Sequence, residues 1–505
     1  MRITQALVRA VTVAPNRTAT IDGMRVRTWR EVFESVGRTA GGLANRGVSP
    51  GDRVAVLAHN CDAFFDAYFA VPWAGAVLTP LNTRLAPPEL AFQLKDAGVR
   101  LLLFGREFED VALRLRAEGA VEDLIALDDG SPSQIECLAD LRADLPMPEV
   151  EAGDTTLAGI FYTGGTTGLP KGVMLSHGNL HTIASNLLMS IPYDGTCVNL
   201  HATPMFHLAD IGILMATMAG GAHVFERSLQ ADVLLEAIAR HRVTHCFTVP
   251  AVLDRLARAE RSIELDLSSL RVLGYGGSSL PAASFTIARQ RFPDVDFVQG
   301  FGQTEMAAAT FLSPRDHRAD ADLSRLRSAG QVCMGYEIRI VDEDGQEVPR
   351  GVVGEIVGRG GNVMMGYWRR PDETVQALRG GWLHTGDTGY MDNEGYIYVV
   401  DRLKDMIVSG AENVYSIEVE NAISWHPAIE ESAVIGVPDS VWGERVHAII
   451  VPKRGASPPD LVSLVAFCRE HIAGYKCPKS LEVRSEPLPR SAIGKILKTS
   501  LRTAR

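Results

Sequence analysis

The sequence lacks the cysteine arrangements that hold disulfide-rich domains or zinc sites together. Seven cysteines are scattered along the chain and none forms a C-x-x-C pair, so neither a disulfide framework nor a zinc site is expected. We expect buried, reduced thiols at Cys61, Cys137, Cys197, Cys246, Cys333, Cys468 and Cys477. The chain also lacks a G-x-S-x-G nucleophile elbow, which argues against a serine hydrolase of that type.

Long apolar runs and an excess of positive charge are missing too. No apolar run approaches the roughly 18 residues that a membrane-spanning helix needs, so no transmembrane segment is expected. The first residues lack the apolar core and small-residue cleavage site of a secretory signal, which predicts a cytoplasmic protein. A net charge of −11 argues against nucleic acid as the main partner.

The first four hundred residues alternate short apolar runs with helix-like stretches. The runs at 53–58, 99–104, 157–163 and 270–277 are rich in β-formers and bounded by turn residues, which predicts buried strands. The stretch 231–243 carries apolar residues at helical spacing and leads into another such run. This alternation predicts an α/β fold of mostly parallel sheets flanked by helices, and 505 residues favour more than one domain.

The tail has a different pattern. An alternating strand at 395–402 is followed by a helical stretch at about 417–424, two strands, a helix near 460–472 and a last strand near 480–486. These elements predict a small α+β unit. We place the domain boundary at the charged junction, with a large domain at 1–402 and a small domain at 403–505.

One loop indicates phosphate chemistry. The stretch "FYTGGTTGLPKG" (161–172) packs four glycines and three threonines around Lys171, directly after an apolar run. Glycine lets backbone N–H groups approach a polyphosphate closely, and the lysine adds a positive charge. The loop is not a common P-loop, because no Gly-Lys-[Ser/Thr] closes it. Taken alone, it is equally consistent with an ordinary glycine-rich turn.

Seven further motifs identify the family that this loop resembles. They are, in order, "TPMFHLADIG" (203–212), "GYGGSSL" (274–280), "GFGQTE" (300–305), "GEI" (354–356), "TGD" (385–387), "DRLKDMIVSGAENVYSIEVE" (401–420) and "PRSAIGKILK" (489–498). The whole series resembles the adenylate-forming superfamily, in particular its acyl-CoA synthetases. The resemblance implies a large N-terminal domain of stacked sheets with a β-subdomain, and a mobile C-terminal domain with its hinge near Lys404.

The resemblance also implies a nucleotide site. Its expected ATP- or AMP-binding residues are Thr163, Gly164, Gly165, Thr166, Thr167, Lys171, Gly276, Gly277, Ser278, Gly300, Phe301, Gly302, Thr304, Asp387 and Arg402. Phe301 stands where the family usually has a tyrosine, so the aromatic face is kept and a hydroxyl is lost. Glu305, with Thr163, is the expected Mg²⁺ contact, because Mg²⁺ prefers oxygen ligands shared with phosphates.

The implied catalytic residues are Lys495 and His207. A lysine ammonium offsets the repulsion between a carboxylate and the α-phosphate, and Lys498 and Lys479 are expected to be solvated. His207 is placed at the mouth of the acid pocket, and a hydrogen-bonded core histidine is the alternative.

The expected acyl pocket comprises His207, Val249, Tyr275 and Ala307, and the expected CoA contacts are Gly410, Ala411, Trp442 and Lys476. Trp442 has a core tryptophan as its alternative.

The implied reaction joins a carboxylic acid to a thiol in two steps. The acid and MgATP give an acyl-adenylate and pyrophosphate, and CoA then takes the acyl group and releases AMP. We expect a monocarboxylic acid, because "EMAAATF" (305–311) offers no cation for a second carboxylate. The small side chains there leave room for an extended or ring-bearing acid, and we expect a medium- or long-chain fatty acid. An aryl or hydroxycinnamic acid, a carrier-protein acceptor and luciferase-type oxidation are the alternatives. A homodimer is left open.

Overall fold

Parallel strands and helices alternate through the large N-terminal part of the chain. A computed structural model describes residues 1–128, 135–163, 170–277, 280, 282–318, 323–402, 405–409, 412–439, 442–490 and 496–503. The strands are β1 (Thr18–Asp22), β2 (Arg25–Thr28), β3 (Arg53–Leu57), β4 (Val77–Pro80), β5 (Val99–Phe104), β6 (Asp123–Ala126), β7 (Leu157–Thr163), β8 (Lys171–Ser176), β9 (Val198–His201), β10 (Ala222–Phe225), β11 (His245–Thr248), β12 (Val272–Gly276), β13 (Asp296–Gln303), β14 (Ala307–Leu312), β15 (Gln331–Val332), β16 (Tyr336–Val341), β17 (Gly354–Gly360), β18 (Gly366–Tyr367), β19 (Leu383–Met391), β20 (Ile397–Arg402), β21 (Ile407–Ser409), β22 (Glu412–Val414), β23 (Ile429–Asp439), β24 (Gly443–Pro452) and β25 (Ser480–Val483).

The helices fall between these strands. They are α1 (Thr4–Val13), α2 (Trp29–Asn45), α3 (Asp62–Trp73), α4 (Pro87–Ala97), α5 (Glu109–Ala117), α6 (Leu138–Arg142), α7 (His177–Ser190), α8 (Gly212–Ala219), α9 (Ala231–His241), α10 (Pro250–Arg258), α11 (Arg261–Glu264), α12 (Ala282–Arg291), α13 (Pro371–Ala377), α14 (Ser416–Ser424), α15 (Leu461–Arg469) and α16 (Lys498–Thr503). Short 3₁₀ helices occupy Arg106–Phe108, Pro314–His317, Leu323–Arg327, Arg379–Gly381 and Gly474–Lys476.

Two large sheets carry most of these strands. The first has the order β15-β14-β13-β12-β11-β9-β10-β1-β2, and the second has the order β18-β8-β7-β4-β3-β5-β6. From β13 to β1 the neighbours in the first sheet are parallel, as are those from β7 to β6 in the second. Antiparallel strands are added at both edges of the first sheet and at one edge of the second.

The inner faces of the two sheets share one apolar core. Along β5, Leu101 and Leu103 join this inner core, whereas Leu102 and Phe104 join the core under the outer helices α4 and α5. Alternation of this kind follows from the two-residue period of a strand, and it explains why buried parallel strands are apolar on both faces. Helix α3 belongs to the inner core, and every residue of it is buried.

Two smaller sheets complete the fold. The order β16-β17-β19-β20 forms a four-stranded antiparallel sheet, which is the expected β-subdomain. The C-terminal sheet has the order β22-β21-β24-β23, with β25 beside β24, and it packs against α14 and α15. The predicted strands at 53–58, 99–104, 157–163 and 270–277 correspond to β3, β5, β7 and β12. Helix α16 was not predicted.

Among the described residues, no helix is both long enough and apolar enough to cross a lipid bilayer. All seven cysteines are buried as free thiols, in agreement with the expectation from their spacing.

A buried ion cluster centred on Asp66 joins α3 to its neighbours. The Arg27 guanidinium donates to both Asp66 carboxylate oxygens at 2.8 and 2.9 Å, and Arg142 donates to one of them at 2.5 Å. Ser35 adds a hydroxyl at 2.6 Å. The Asp66 side chain is fully buried, and it supplies negative charge to the arginines on β2 and α6, of which Arg27 also pairs with Asp62 at 3.1 Å.

We expect Asp66→Ala to lower the free energy of unfolding by about 3–5 kcal/mol, because Arg142 loses this buried carboxylate and Arg27 keeps only its pair with Asp62. Urea denaturation followed by tryptophan fluorescence measures the change. Glu34→Ala, which removes an exposed carboxylate from the adjacent helix α2, is the matched control and should change stability by less than about 0.5 kcal/mol. Equal effects of the two substitutions would refute the structural importance of the cluster.

Candidate active site

Thr163 and Lys171 flank the expected phosphate loop at the turn end of the β7–β8 hairpin. Thr163 ends β7, Lys171 begins β8, and the two residues are register partners. The Thr163 hydroxyl lies 3.4 Å from the Lys171 carbonyl oxygen, to which it donates. The expected phosphate contacts Gly164, Gly165, Thr166 and Thr167 lie outside the described residues. The hairpin therefore fixes both ends of the loop.

Tyr367 brings the loop lysine and the expected metal ligand together. The Lys171 ammonium lies 4.9 Å from the centroid of the Tyr367 ring, within cation–π range. The Tyr367 hydroxyl donates to Glu305 Oε1 at 2.9 Å. Burial, and then the Glu305 carboxylate, raise the pKa of Tyr367 above its ordinary value, so this hydroxyl stays protonated and available as a donor. Lys171 and Glu305 thus border one region, although 134 residues of sequence separate them (305 − 171).

Asp96 holds the segment around Tyr367 against the hairpin. Tyr367 pairs with Val173 of β8, and the next residue, Trp368, donates its indole N–H to the Asp96 carbonyl at 3.0 Å. The Asp96 carboxylate accepts from the Tyr162 hydroxyl at 2.7 Å and from Arg370 at 3.0 Å. These contacts fix the tyrosine ring beside Lys171.

The expected adenine shelf is formed where β12 and β13 run side by side. Gly276 and Gly300 are register partners, and a Cβ on Gly276 would come within 2.6 Å of the Gly300 carbonyl oxygen. Gly277 has φ +84°, a left-handed conformation that glycine adopts without strain. A Cβ on Gly302 would lie 1.6 Å from the Ala307 carbonyl oxygen. Only glycine fits these positions, and Ser278 lies outside the described residues.

The shelf is joined to the expected ribose ligand. Asp387 on β19 is buried and is the register partner of Arg402 on β20. Gln303, at the end of β13, donates its amide to the Thr385 carbonyl at 3.4 Å. This bond connects the strand of the adenine shelf with the strand of Asp387. Thr304 is half-buried next to Gln303, and the half-buried Phe301 packs against the core of the four-stranded sheet.

His207 has a buried ring nitrogen without a hydrogen-bond partner among the described residues. This atom is Nε2, and the ring packs on Phe206 with centroids 4.4 Å apart. Burial, and then Arg84, lower the pKa of His207 to about 4, so the imidazole is neutral at pH 7. A hydrogen-bonded core histidine was the alternative, and the unpartnered Nε2 argues against it.

A wall of aromatic rings over glycines lies on the inner face of the first sheet. A Cβ on Gly274 would come within 2.1 Å of the ring of Phe247, its register partner on β11. A Cβ on Gly300 would lie 3.5 Å from the ring of its register partner Phe311, in van der Waals contact. The Thr203 hydroxyl donates to the Phe247 carbonyl at 3.0 Å, which joins this wall to the segment that carries His207.

Tyr275 and Val249 do not reach this wall. Successive residues of a strand point to opposite faces, and Tyr275 lies between the inward-facing glycines 274 and 276. Its hydroxyl is 2.9 Å from His317 Nε2, in the outer core with α10 and α12, and Val249 packs there too. Ala307 packs against the inner core and has φ +51°. Of the expected acyl-pocket residues, the structure places His207 and Ala307 on the inner side.

The C-terminal lysines are paired rather than solvated. The Lys479 ammonium lies 3.6 Å from the centroid of the Trp442 ring and donates to Ser409 Oγ at 2.9 Å. Lys498 forms an ion pair with Glu420, so the expectation of two solvated lysines was wrong. Lys476 binds both Glu418 carboxylate oxygens, at 2.7 and 2.8 Å. Trp442 is 46% exposed, so it is not a core tryptophan.

Four further expected residues, Lys404, Gly410, Ala411 and Lys495, lie outside the described residues. The side chain of Arg402 is likewise not described. Sequence reasoning missed Tyr367, Gln303 and Phe247. Gln303 stands inside the quoted "GFGQTE" motif, which was a usable signal. The sequence gives no such signal for Tyr367 or Phe247, because neither residue stands at a fixed spacing within a quoted motif.

Family models match both parts of the chain. Residues 7–368 match the model described as AMP-binding enzyme, and residues 418–495 match the AMP-binding enzyme C-terminal domain. The chain belongs to the adenylate-forming superfamily of AMP-binding enzymes. The expectation from the motifs is therefore confirmed, and so is the mixed α/β architecture.

Relatives of this enzyme span its whole length. A feruloyl-CoA synthase of Amycolatopsis is 40% identical over 501 residues, covering 98% of this chain and 97% of the relative. A long-chain-fatty-acid–CoA ligase of Mycobacterium tuberculosis is 36% identical over 499 residues, covering 97% and 96%. The solved o-succinylbenzoate CoA synthetase of Bacillus subtilis, in complex with its acyl-adenylate intermediate, has 32% identity and a TM-score of 0.86 over 99% of this chain and 98% of that one. The chain is an AMP-forming acid–thiol ligase, for which ATP and CoA are consistent co-substrates.

We expect Tyr367→Phe to lower kcat/KM for ATP by about 10- to 100-fold, because it removes a hydrogen bond to a carboxylate worth about 1.5–3 kcal/mol. The ring over Lys171 is kept, so the effect isolates the hydroxyl. Pyrophosphate–ATP exchange at varied Mg²⁺ measures it. Tyr390→Phe, in the four-stranded sheet, is the control. Wild-type kinetics in Tyr367→Phe would show that the contact with Glu305 is dispensable.

Proposed function

We propose that this enzyme activates an aryl-bearing monocarboxylic acid, of the phenylpropenoic class, and transfers it to CoA. The carboxylate attacks the α-phosphorus of ATP, forming acyl-AMP and releasing pyrophosphate. The CoA thiolate then attacks the acyl carbon, forming the thioester and releasing AMP. The observation that carries the acid class is the Phe247 ring lying across Gly274.

The described phosphate-side residues fit the first step. The Lys171 ammonium neutralises charge at the pyrophosphate end, and the shelf of Gly276 and Gly300 accommodates a flat base. Glu305 fits a Mg²⁺ ion that is held mainly by phosphates, because such ions use one or two protein carboxylates. Bound there, Mg²⁺ would neutralise phosphate charge. Thr163 would complete the phosphate contacts.

Lys495 is proposed as the residue that acts at the α-phosphate. Two anions must meet there, and an ammonium group between them lowers the barrier. We further propose that the small domain turns about Lys404 between the two steps. Lys495 then serves adenylation, and the loop with Gly410 and Ala411 serves thioester formation.

The aryl class is supported over the fatty-acid class by the inner wall. Phe247 and Phe311 fill the space above glycines of β12 and β13, where a long flexible chain would otherwise extend. Flat rings pack well against aromatic faces and glycine backbone. The neutral His207, with its unpartnered Nε2, would orient the acid at the mouth. The similarity to a feruloyl-CoA synthase points in the same direction.

CoA is supported as acceptor by the exposed surface around Trp442. Its indole is half-exposed and is flanked by the Lys479 ammonium, which suits an adenine ring carrying phosphates. Lys476, although paired with Glu418, lies in the same segment. Transfer to a carrier protein, or oxidation of the adenylate, would appear as AMP release that does not depend on CoA.

Lys495→Ala should reduce adenylation by at least about 100-fold, a loss of roughly 3 kcal/mol of transition-state stabilisation. Conversion of supplied acyl-AMP to the thioester should stay near the parental rate. The two half-reactions are followed separately, as pyrophosphate release and as thioester formation. Lys453→Ala, an exposed lysine of the same domain, is the control. Equal loss of both half-reactions would contradict the assignment.

A panel of acids tests the substrate class. Feruloyl-type acids should exceed C8–C16 fatty acids in kcat/KM, and Phe247→Ala should shift this ratio at least about 10-fold toward the fatty acids. The ratio is independent of the fraction of folded enzyme. Phe292→Leu, which removes a ring from the outer core, should leave it unchanged. A parental ratio in Phe247→Ala, or a fatty-acid preference in the parent, would reject the aryl class.

A further inference from the structure

Lys498 is held by a hydrogen-bonded network at the start of α16. Its ammonium lies 2.8 Å from Glu420 Oε1 and donates to Ser416 Oγ at 2.5 Å. The side chains of Lys498 and Glu420 are only 14% and 18% exposed, and Ser416 is fully buried. Two directional bonds from one ammonium fix the position of this residue relative to α14.

The chain on either side of 491–495 is tied together. Arg490 and Ile496 form an antiparallel bridge, and the Leu497 N–H donates to the Pro489 carbonyl at 2.8 Å. Arg490 lies 3.1 Å from Glu431 Oε2 on β23. The described residues that flank 491–495 are therefore paired with each other, and Arg490 and Lys498 each form an ion pair.

The network continues across the domain junction to the nucleotide site. The Ser416 N–H donates to Asp401 Oδ2 at 2.5 Å, and the Thr388 hydroxyl donates to the Asp401 carbonyl at 3.0 Å. Thr388 is the neighbour of Asp387, the proposed ribose ligand. Four residues, Lys498, Ser416, Asp401 and Thr388, thus connect the chain three residues after Lys495 with the ribose strand.

We infer that Lys498 is a positioning residue for the adenylation step: through Ser416 and Asp401 it ties residues 496–498, which directly follow Lys495 in the chain, to the strand of the proposed ribose ligand. This inference rests on the proposed function, in which Lys495 acts at the α-phosphate. Lys498 contacts no substrate and acts only through the segment that it anchors. Thioester formation, which does not use Lys495, should not depend on it.

Stability and positioning must be separated in the test. Burial raises the pKa of Glu420 while Lys498 lowers it, so removing the lysine alone would leave a poorly compensated carboxylate. Glu420 Oε1 also accepts from the Val434 N–H at 2.7 Å, and a glutamine keeps that acceptor. The variant Lys498→Met/Glu420→Gln therefore removes the anchor to Ser416 without leaving an unpaired charge.

The full-length enzyme is assayed for both half-reactions. In Lys498→Met/Glu420→Gln we expect the rate of adenylation to fall by about 10- to 100-fold, as for other small displacements of catalytic groups. KM for ATP and thioester formation from supplied acyl-AMP should stay within about two-fold of the parent. Lys498→Arg, which keeps the charge and the donors, should recover much of the adenylation rate. Arg484→Met, which removes an arginine paired with Glu482 in the same domain, is the matched control.

Three outcomes would overturn the inference. Parental adenylation in the double variant would show that the anchor is not needed, and a proportional fall in both half-reactions with a lowered Tm would show a purely structural contribution. Failure of Lys498→Arg to recover adenylation, in a folded protein, would separate Lys498 from the step. Failure of the proposed function is distinguishable, because the parent would then form no acyl-AMP or Lys495→Ala would adenylate normally.

Discussion

The hydrogen bond from the Tyr367 hydroxyl to the Glu305 carboxylate is the contact on which the phosphate end of the site depends. It joins residues 62 positions apart and places the tyrosine ring against the Lys171 ammonium. If this carboxylate and this lysine formed a direct ion pair, both would lose much of their value for the proposed binding of MgATP. The tyrosine separates them, since its ring faces the cation and its hydroxyl satisfies the anion. The hydrogen bonds that Asp96 accepts from Tyr162, Trp368 and Arg370 hold that ring in place.

A second constraint is the close approach of backbone to a flat base. On β12 and β13, strand pairing already places Gly276 against the Gly300 carbonyl, and any Cβ would separate the strands. The same glycine rows leave room on the inner face for Phe247 and Phe311. The glycines on two neighbouring strands therefore serve both proposed sites, the one for the nucleotide and the one for the acid. Alternation along β12 then sends Tyr275 to the outer core.

Much of the fold could be predicted from the sequence because its signals are local. Strands such as β3 and β5 are buried on both faces, so each is a continuous apolar run between turn residues. The glycines of the shelf and Lys171 stand in motifs with fixed spacing. The contacts of Tyr367 and Lys498 could not be predicted, because Glu305 and Ser416 lie 62 and 82 residues away. A lysine that ends as the anchor of a buried network looks, in sequence, like any solvated lysine.

The division of charge between domains follows from the chemistry. In the proposed mechanism Lys171, in the large domain, steadies the pyrophosphate end of ATP before and during adenylation. An ammonium at the α-phosphate is needed only while the carboxylate attacks, and would hinder entry of the thiol afterwards. If the small domain turns as proposed, that group can withdraw, but its position must then be restored in every cycle. The proposed anchoring through the directional bonds of Lys498, Ser416 and Asp401 would supply that reproducibility.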